Sequence, residues 1–255
     1  MKCKICATNS NLVKKLIVRK KYEARYYLCD NCGFMFVDNP TWLAEAYQKP
    51  IDITDTGYVM RNIYLSKKVL LLFALIFGKS FTYLDYAGGY GMLARIMRDY
   101  GLNFLNDDLY AKNLFVQGFE YRGEKIKALT CFECFEHLES PIEEFEKMLK
   151  ISKNIFFSTR LLPATCPPND EWEYYGLDHG QHVAFYSIKT IEFLAKKYNL
   201  YFNTNKDNLH FLSERKISPI IFKAILLLSK LQFDILIRKT LNSKTTSDSM
   251  SLKKI

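Results

Sequence analysis

A chain of 255 residues has room for one sizeable core with one or two small appendages. At 49% apolar, 15% aromatic and 25% charged, it is too hydrophobic for a disordered protein and too charged for a polytopic membrane protein. The net charge of +9 is unevenly placed, with +6 in residues 1–35, +6 in residues 213–255 and about −3 between them, which suits nucleic acid, an anionic membrane surface or a phosphorylated small molecule, or else a merely solvated surface.

The longest apolar run, Val69 to Phe77, has nine residues, half of the roughly 18 needed to span a bilayer. Lys2, Lys4, Lys14 and Lys15 interrupt the amino terminus, so no leader core is expected and a cytoplasmic location is.

The first element is a cysteine pattern, Cys3-Lys4-Ile5-Cys6 and Cys29-Asp30-Asn31-Cys32 followed by Gly33. Thiolates two residues apart on a tight turn can face one ion, and two such turns supply the four sulfurs of a tetrahedral zinc site. Leu16 to Val18 and Tyr26 to Leu28 read as hairpin strands that bring the turns together. Four sulfur ligands leave no open position, so Cys3, Cys6, Cys29 and Cys32 are expected to hold a structural Zn2+.

From residue 81 the pattern alternates strand and helix. Phe81 to Asp85 is a short strand ending in a carboxylate, Tyr86-Ala87-Gly88-Gly89-Tyr90-Gly91 is a turn, and Met92 to Tyr100 is an amphipathic helix stopped by Gly101. Bare main chain at such a turn lets a ligand approach closely. Leu102 to Asp108 is a second strand ending in Asp107 and Asp108, where a carboxylate can accept both hydroxyls of a ribose. Lys127 to Phe132 is a further strand, followed by Glu133-Cys134-Phe135-Glu136-His137-Leu138, a helix from Pro141 to Lys150, and a strand over Asn154 to Thr159. The alternation predicts an α/β fold, a mostly parallel sheet with helices on both faces and ligands at the strands' carboxyl ends.

The runs Leu84 to Gly91, the acidic end of the second strand and Phe132 to Leu138 resemble the first, second and fourth motifs of class I S-adenosylmethionine-dependent methyltransferases. The chain is further similar to a bacterial subgroup of sugar and polysaccharide methyltransferases. That subgroup has a four-cysteine amino-terminal module, segments like Trp42 to Tyr47, Asp55-Thr56-Gly57 with Arg61-Asn62, and Gly180-Gln181-His182-Val183-Ala184-Phe185-Tyr186-Ser187, and a tail like Ser243 to Asp248. The resemblance implies a Rossmann-like domain over residues 46–212, preceded by a zinc-ribbon-like module over residues 1–45 and followed by a carboxyl-terminal segment over residues 213–255. It also implies that S-adenosylmethionine is held by Asp85, Gly88, Gly89 and Gly91, by Asp108 or its neighbour Asp107, and by Phe132 and Glu133. Arg61 would pair with the cofactor carboxylate, or form a surface salt bridge. Ala87 departs from the family, standing where the loop usually has its first glycine; alanine tolerates ordinary backbone angles.

Methyl transfer to a hydroxyl needs a base as well as alignment. Of four histidines, His137 and His210 read as structural, while His179 and His182 fall in a long insertion and are the catalytic candidates. His182 is preferred because it lies in the subgroup-like run. Trp172, Tyr174, Tyr175 and Tyr186 could wall an acceptor pocket or pack in a core. Ile217 to Lys239 repeats apolar residues at three and four, predicting one or two amphipathic helices, and residues after Leu241 read as a mobile tail.

The expected reaction is methylation of a hydroxyl or carbon on a sugar, sugar nucleotide or surface-polysaccharide precursor. An RNA methyltransferase and a non-catalytic binding protein are the competing readings. Nucleic acid is disfavoured because Phe132-Glu133-Cys134-Phe135 stands where base-amino methyltransferases carry Asp/Asn-Pro-Pro-aromatic. Peripheral membrane contact through the carboxyl-terminal lysines, and homo-oligomer formation, both stay open.

Overall fold

The computed structural model describes residues 1–47 and 55–253. It opens with β1 (Asn11–Val18), β2 (Tyr22–Leu28), β3 (Met35–Val37) and a short helix α1 (Leu43–Ala46). Arg19 and Lys20 join β1 to β2 with φ of 54° and 56°, closed by the Lys21 N–H donating to the Val18 carbonyl at 3.1 Å. Left-handed angles at both central residues match the twist of paired strands. Next come α2 (Tyr58–Ile76), β4 (Thr82–Tyr86), α3 (Met92–Asp99), β5 (Asn103–Asp107), β6 (Ala128–Cys131), α4 (Pro141–Ile151) and β7 (Ile155–Ser158). After an insertion the chain forms β8 (Ala184–Phe185), α5 (Ile188–Lys197), β9 (Tyr201–Thr204), β10 (Leu209–Ser213), α6 (Pro219–Lys230), α7 (Asp234–Arg238) and α8 (Thr245–Leu252). The start of α5 is fixed by a reciprocal cap between Ser187 and Thr190.

The strands form a four-stranded antiparallel sheet, β1-β2-β3-β8, and a six-stranded sheet of order β5-β4-β6-β7-β10-β9. In the second sheet β4 runs parallel to β5 and β6, whereas β9 and β10 form an antiparallel hairpin. Every residue of β6 and β7 is buried, as strands covered on both faces require. The fold is a Rossmann-like α/β arrangement around a mixed sheet. Among the described residues no helix is long and apolar enough to cross a membrane.

Contacts divide the chain into two compact units that interleave along the sequence. One comprises Met1–Asp52, Glu133–Lys150 and Phe157–Arg215; the other comprises Ile53–Phe132, Ile151–Phe156 and Lys216–Ile255. In the first unit the small hairpin sheet gains the core it lacks alone: Tyr26, Trp42, Tyr175, Val183 and Phe185 are packed together and buried. Thus residues from β1 to β3 share both a sheet and a core with residues 172–185, segments that the expected boundary at 45/46 separates.

In the second unit Phe73 of α2 lies 4.9 Å from Tyr83 of β4 and 6.0 Å from Phe104 of β5, ring centre to ring centre. The expectation of a mobile tail is corrected, since residues 245–252 form α8. Its Asp248 is buried and accepts from Arg98 Nε and Nη2 at 2.7 and 2.6 Å and from Arg95 at 3.0 Å. A serine-rich stretch gives no apolar period to read, and a buried bidentate pair anchors it instead.

Candidate functional site

The glycine turn after β4 is built by close approach of main chain to side chains. A Cβ added at Gly88 would fall 2.2 Å from Asn106 Oδ1 and 2.6 Å from Asp85 Oδ2, so no larger residue fits. Gly91 has φ of 83°, and its Cβ would meet Asn113 and Val116 at 2.7 Å. On Gly89, φ 58°, the nearest atom to an added Cβ is the Tyr58 hydroxyl at 3.7 Å, leaving that side of the main chain approachable. Ala87 differs from expectation: it takes the left-handed φ of 54° rather than ordinary angles, which costs an L-residue about 1 kcal/mol or more. The turn imposes its glycine geometry on an alanine.

Two acids and an amide surround this turn. Asp85 is buried and accepts from the Thr130 hydroxyl at 2.7 Å; burial, with a smaller push from the Asp108 charge, raises its pKa to about 7. Asp108 accepts three backbone N–H groups, Gly89 on Oδ2 at 2.8 Å and Tyr110 and Ala111 on Oδ1 at 2.8 and 2.7 Å. Two donors fill Oδ1, so the acceptor capacity that remains lies chiefly on Oδ2. Asp107 ends β5, and its carbonyl accepts from the Gly88 N–H at 3.1 Å. Asn106 is buried with Oδ1 lacking a hydrogen-bond partner. Beside these residues lies a cavity of about 450 Å³ lined by Asn106, Asp107, Asp108, Lys112, Asn113 and Glu120 among others.

An approachable main-chain turn, a polar hollow at the end of β5 and an orphaned amide oxygen are what a ribose-bearing ligand needs, so the residues fit S-adenosylmethionine. Arg61 forks onto Asp55 at 3.0 and 2.6 Å, the salt-bridge alternative of the sequence reading. Phe132 packs edge-on against Phe156 at 5.3 Å.

The other unit holds a polar cluster. Glu133 has φ of 51° and its carboxylate accepts from Ser158 Oγ at 2.6 Å; strain of this kind clusters at functional sites. His182 Nδ1 lies 2.7 Å from the Tyr174 carbonyl, which can only accept, so Nδ1 carries the proton and Nε2 keeps its lone pair. His179 has the opposite tautomer, because its Nδ1 accepts from the Gln181 N–H at 3.1 Å. The His182 ring lies 5.0 Å from His137 and 4.8 Å from His179. His137 is in turn bonded to the Tyr47 hydroxyl at 2.9 Å. Burial is the main cause that lowers the pKa of both His137 and His182, the latter to about 4, so both rings are neutral at physiological pH.

Glu136 is the residue the sequence reading passed over. It is buried, one oxygen has no hydrogen-bond partner, and a ligand-capable atom from each of Glu136, His137 and His182 lies within 4.8 Å of the others. Burial, then the charge of Glu133, raises its pKa to about 8. The only signal in the sequence was an acid directly before a histidine just past a buried strand. His210, by contrast, is held between Thr204 and the Thr159 carbonyl, both at 2.9 Å, a structural role.

The four amino-terminal sulfurs also converge, with one atom from each of Cys3, Cys6, Cys29 and Cys32 within 4.8 Å of the rest. Cys3 and Cys32 are 3.6 Å apart and Cys6 and Cys29 3.4 Å; tetrahedral sulfurs bonded to zinc at ~2.3 Å stand about 3.8 Å apart. The Ile5 N–H donates to Cys3 Sγ at 3.4 Å, and Gly33 turns the second knuckle with φ of 71°.

A family model described as a methyltransferase domain matches residues 60–204. Among proteins with curated functions none matches the sequence. Solved structures similar to part of the chain include the plantazolicin methyltransferase BpumL in complex with SAH, at 13% identity and TM-score 0.43, covering 67% of this chain and 94% of that one. Another is magnesium protoporphyrin IX methyltransferase (ChlM) from Synechocystis PCC 6803 with bound SAH, at 11% identity and TM-score 0.45, covering 68% and 93%. A third is an O-methyltransferase family protein from Burkholderia thailandensis, at 14% identity and TM-score 0.46, covering 70% and 68%.

Proposed function

The chain belongs to the methyltransferase-domain family and is an S-adenosylmethionine-dependent methyltransferase, and from that premise we propose that it methylates a hydroxyl or carbon of a sugar, sugar nucleotide or related polysaccharide precursor. Support for the acceptor class is the resemblance of the four-cysteine module and of the Gly180 to Ser187 run to enzymes of that type. The basic ends suit a diphosphate.

The cofactor, when bound, supplies a methyl group on a sulfonium, open to in-line displacement. We assign its contacts to Asp85, Ala87, Gly88, Gly89 and Gly91 around the turn, to Asp107 and Asp108 at the ribose, and to Phe132 and Glu133; Arg61 is a contact only if it leaves Asp55. His182 is the proposed base. Its Nε2 lone pair takes the acceptor proton while the Tyr174 carbonyl holds Nδ1–H. His179 and His137 orient the acceptor or the base by hydrogen bonding. The observation that carries the base assignment is the tautomer, since only His182 of the 179–182 pair is held with its outer nitrogen free to accept.

Cys3, Cys6, Cys29 and Cys32 are assigned to a structural zinc ion within a module of residues 1–45. The catalytic domain is residues 46–212, and residues 213–255 form the carboxyl-terminal helices.

Incubating the protein with labelled S-adenosylmethionine and a panel of nucleotide sugars tests the reading. Methyl transfer to a sugar is the expected outcome. Transfer to RNA alone overturns the acceptor class, and cofactor binding with no transfer to any acceptor favours a binding protein.

A further inference from the structure

Helix α6 is apolar on two opposite faces. At about 100° per residue, Phe222, Ile225, Leu226 and Ser229 share one side, and all four are buried. Ser229 marks that side as the one toward α2, because it lies 3.3 Å from the buried Lys68 Nζ. Directly opposite lies a second stripe: Ile220, Ala224, Leu227 and Leu231. Ile220 is 79% exposed, Leu227 58% and Leu231 60%. Phe233, Ile235 and Leu236, which follow in the chain and lead into α7, are exposed as well. An exposed apolar stripe of this kind on a folded protein marks a contact with something else.

The charges on the same segment say what that is. Between residues 214 and 239 the exposed cations are Arg215, Lys216, Lys223, Lys230 and Lys239, against one exposed acid, Glu214. The only other acid, Asp234, is fully buried and paired with Arg238. Lys223 and Lys230 are seven residues apart and run along one edge of the stripe, so their ammonium groups can reach outward while their stems lie beside Leu227.

We propose that the outer face of α6 and α7 docks on an anionic lipid surface, with the apolar stripe seated at the acyl boundary and the lysines at the headgroups. Both halves of the device are then used: the stripe leaves water, and the cations find phosphate. A second copy of the chain fits less well. A two-fold contact would set the lysine row of one copy near that of its partner, with Glu214 the only exposed acid on this stretch to offset it. The inference holds whatever the acceptor of methyl transfer is.

Flotation with phosphatidylcholine vesicles containing about a quarter phosphatidylglycerol tests it, beside pure phosphatidylcholine vesicles and a size measurement without lipid. The expected result is capture by the anionic vesicles only. Lys223→Glu with Lys230→Glu should weaken capture about tenfold or more, and Leu227→Asp should abolish it. Since these side chains point away from α2, circular dichroism and cofactor binding should match the parent protein. No capture by anionic vesicles at low salt overturns the proposal. So does a concentration-dependent dimer that Leu227→Asp dissociates, which would show that a second copy covers this face.

Discussion

The turn after β4 and the histidine cluster solve opposite problems. At the turn, side chains must be absent: Gly88 is confined by Asn106 and Asp85, and main-chain N–H groups are organised by a single carboxylate, Asp108. In the cluster, side chains from distant stretches meet: the Tyr47 hydroxyl bonds His137, the Tyr174 carbonyl holds His182, and Glu136 lies within 4.8 Å of both imidazoles. The main-chain site has no room for an added atom at Gly88 or Gly91. A site made of side chains keeps its shape on exchange but loses its chemistry. Substitutions should therefore damage the two in different ways.

The largest effect is expected from His182→Ala, with kcat falling about 10²- to 10⁴-fold while calorimetric affinity for the cofactor stays unchanged. An unchanged kcat in a folded variant would remove His182 from the chemistry and leave the cluster structural. Asp85→Asn comes next. The raised pKa of about 7 against 3.8 when unfolded means that the folded chain binds the extra proton between these values, so the parent loses stability as pH rises from about 4 to 7. The asparagine variant should escape that loss and gain on the parent by up to about 4 kcal/mol above pH 7. Melting temperatures across that pH range, taken without cofactor, would show the two curves diverging; parallel curves would mean the carboxyl stays ionised.

Gly88→Ala should cost about 2 kcal/mol of stability by forcing Asn106 and Asp85 aside, and cofactor affinity should fall with it in the same calorimetric titration. The smallest effect is expected at the neighbouring position. Ala87→Gly relieves the left-handed strain and should add about 0.5 to 1 kcal/mol, read as a small rise in melting temperature. A destabilised Ala87→Gly would mean that the alanine methyl packs usefully.

How much of this the sequence disclosed follows the same division. The turn was legible because its requirements are local: glycines, a strand-terminal acid and a helix start fall within ten residues. The cysteine spacing was legible for the same reason. His182 could be singled out, but its company could not, since Tyr47 and His137 lie ninety positions apart and no periodicity links them. The tail misled because its helix is anchored by Asp248 on Arg95 and Arg98, about 150 positions away, and not by an apolar face.

The strands and helices between residues 81 and 159, the α/β class and the two-residue cysteine spacings were set by short-range pattern, because backbone sterics and side-chain period act over a few residues. Tertiary structure alone decided that β8 completes the hairpin sheet, that an alanine must bend left-handed, which nitrogen of His179 and of His182 bears the proton, and that α6 has one apolar face too many for its own core. Those outcomes depend on which distant groups arrive at bonding distance, and a chain read in order carries no measure of that.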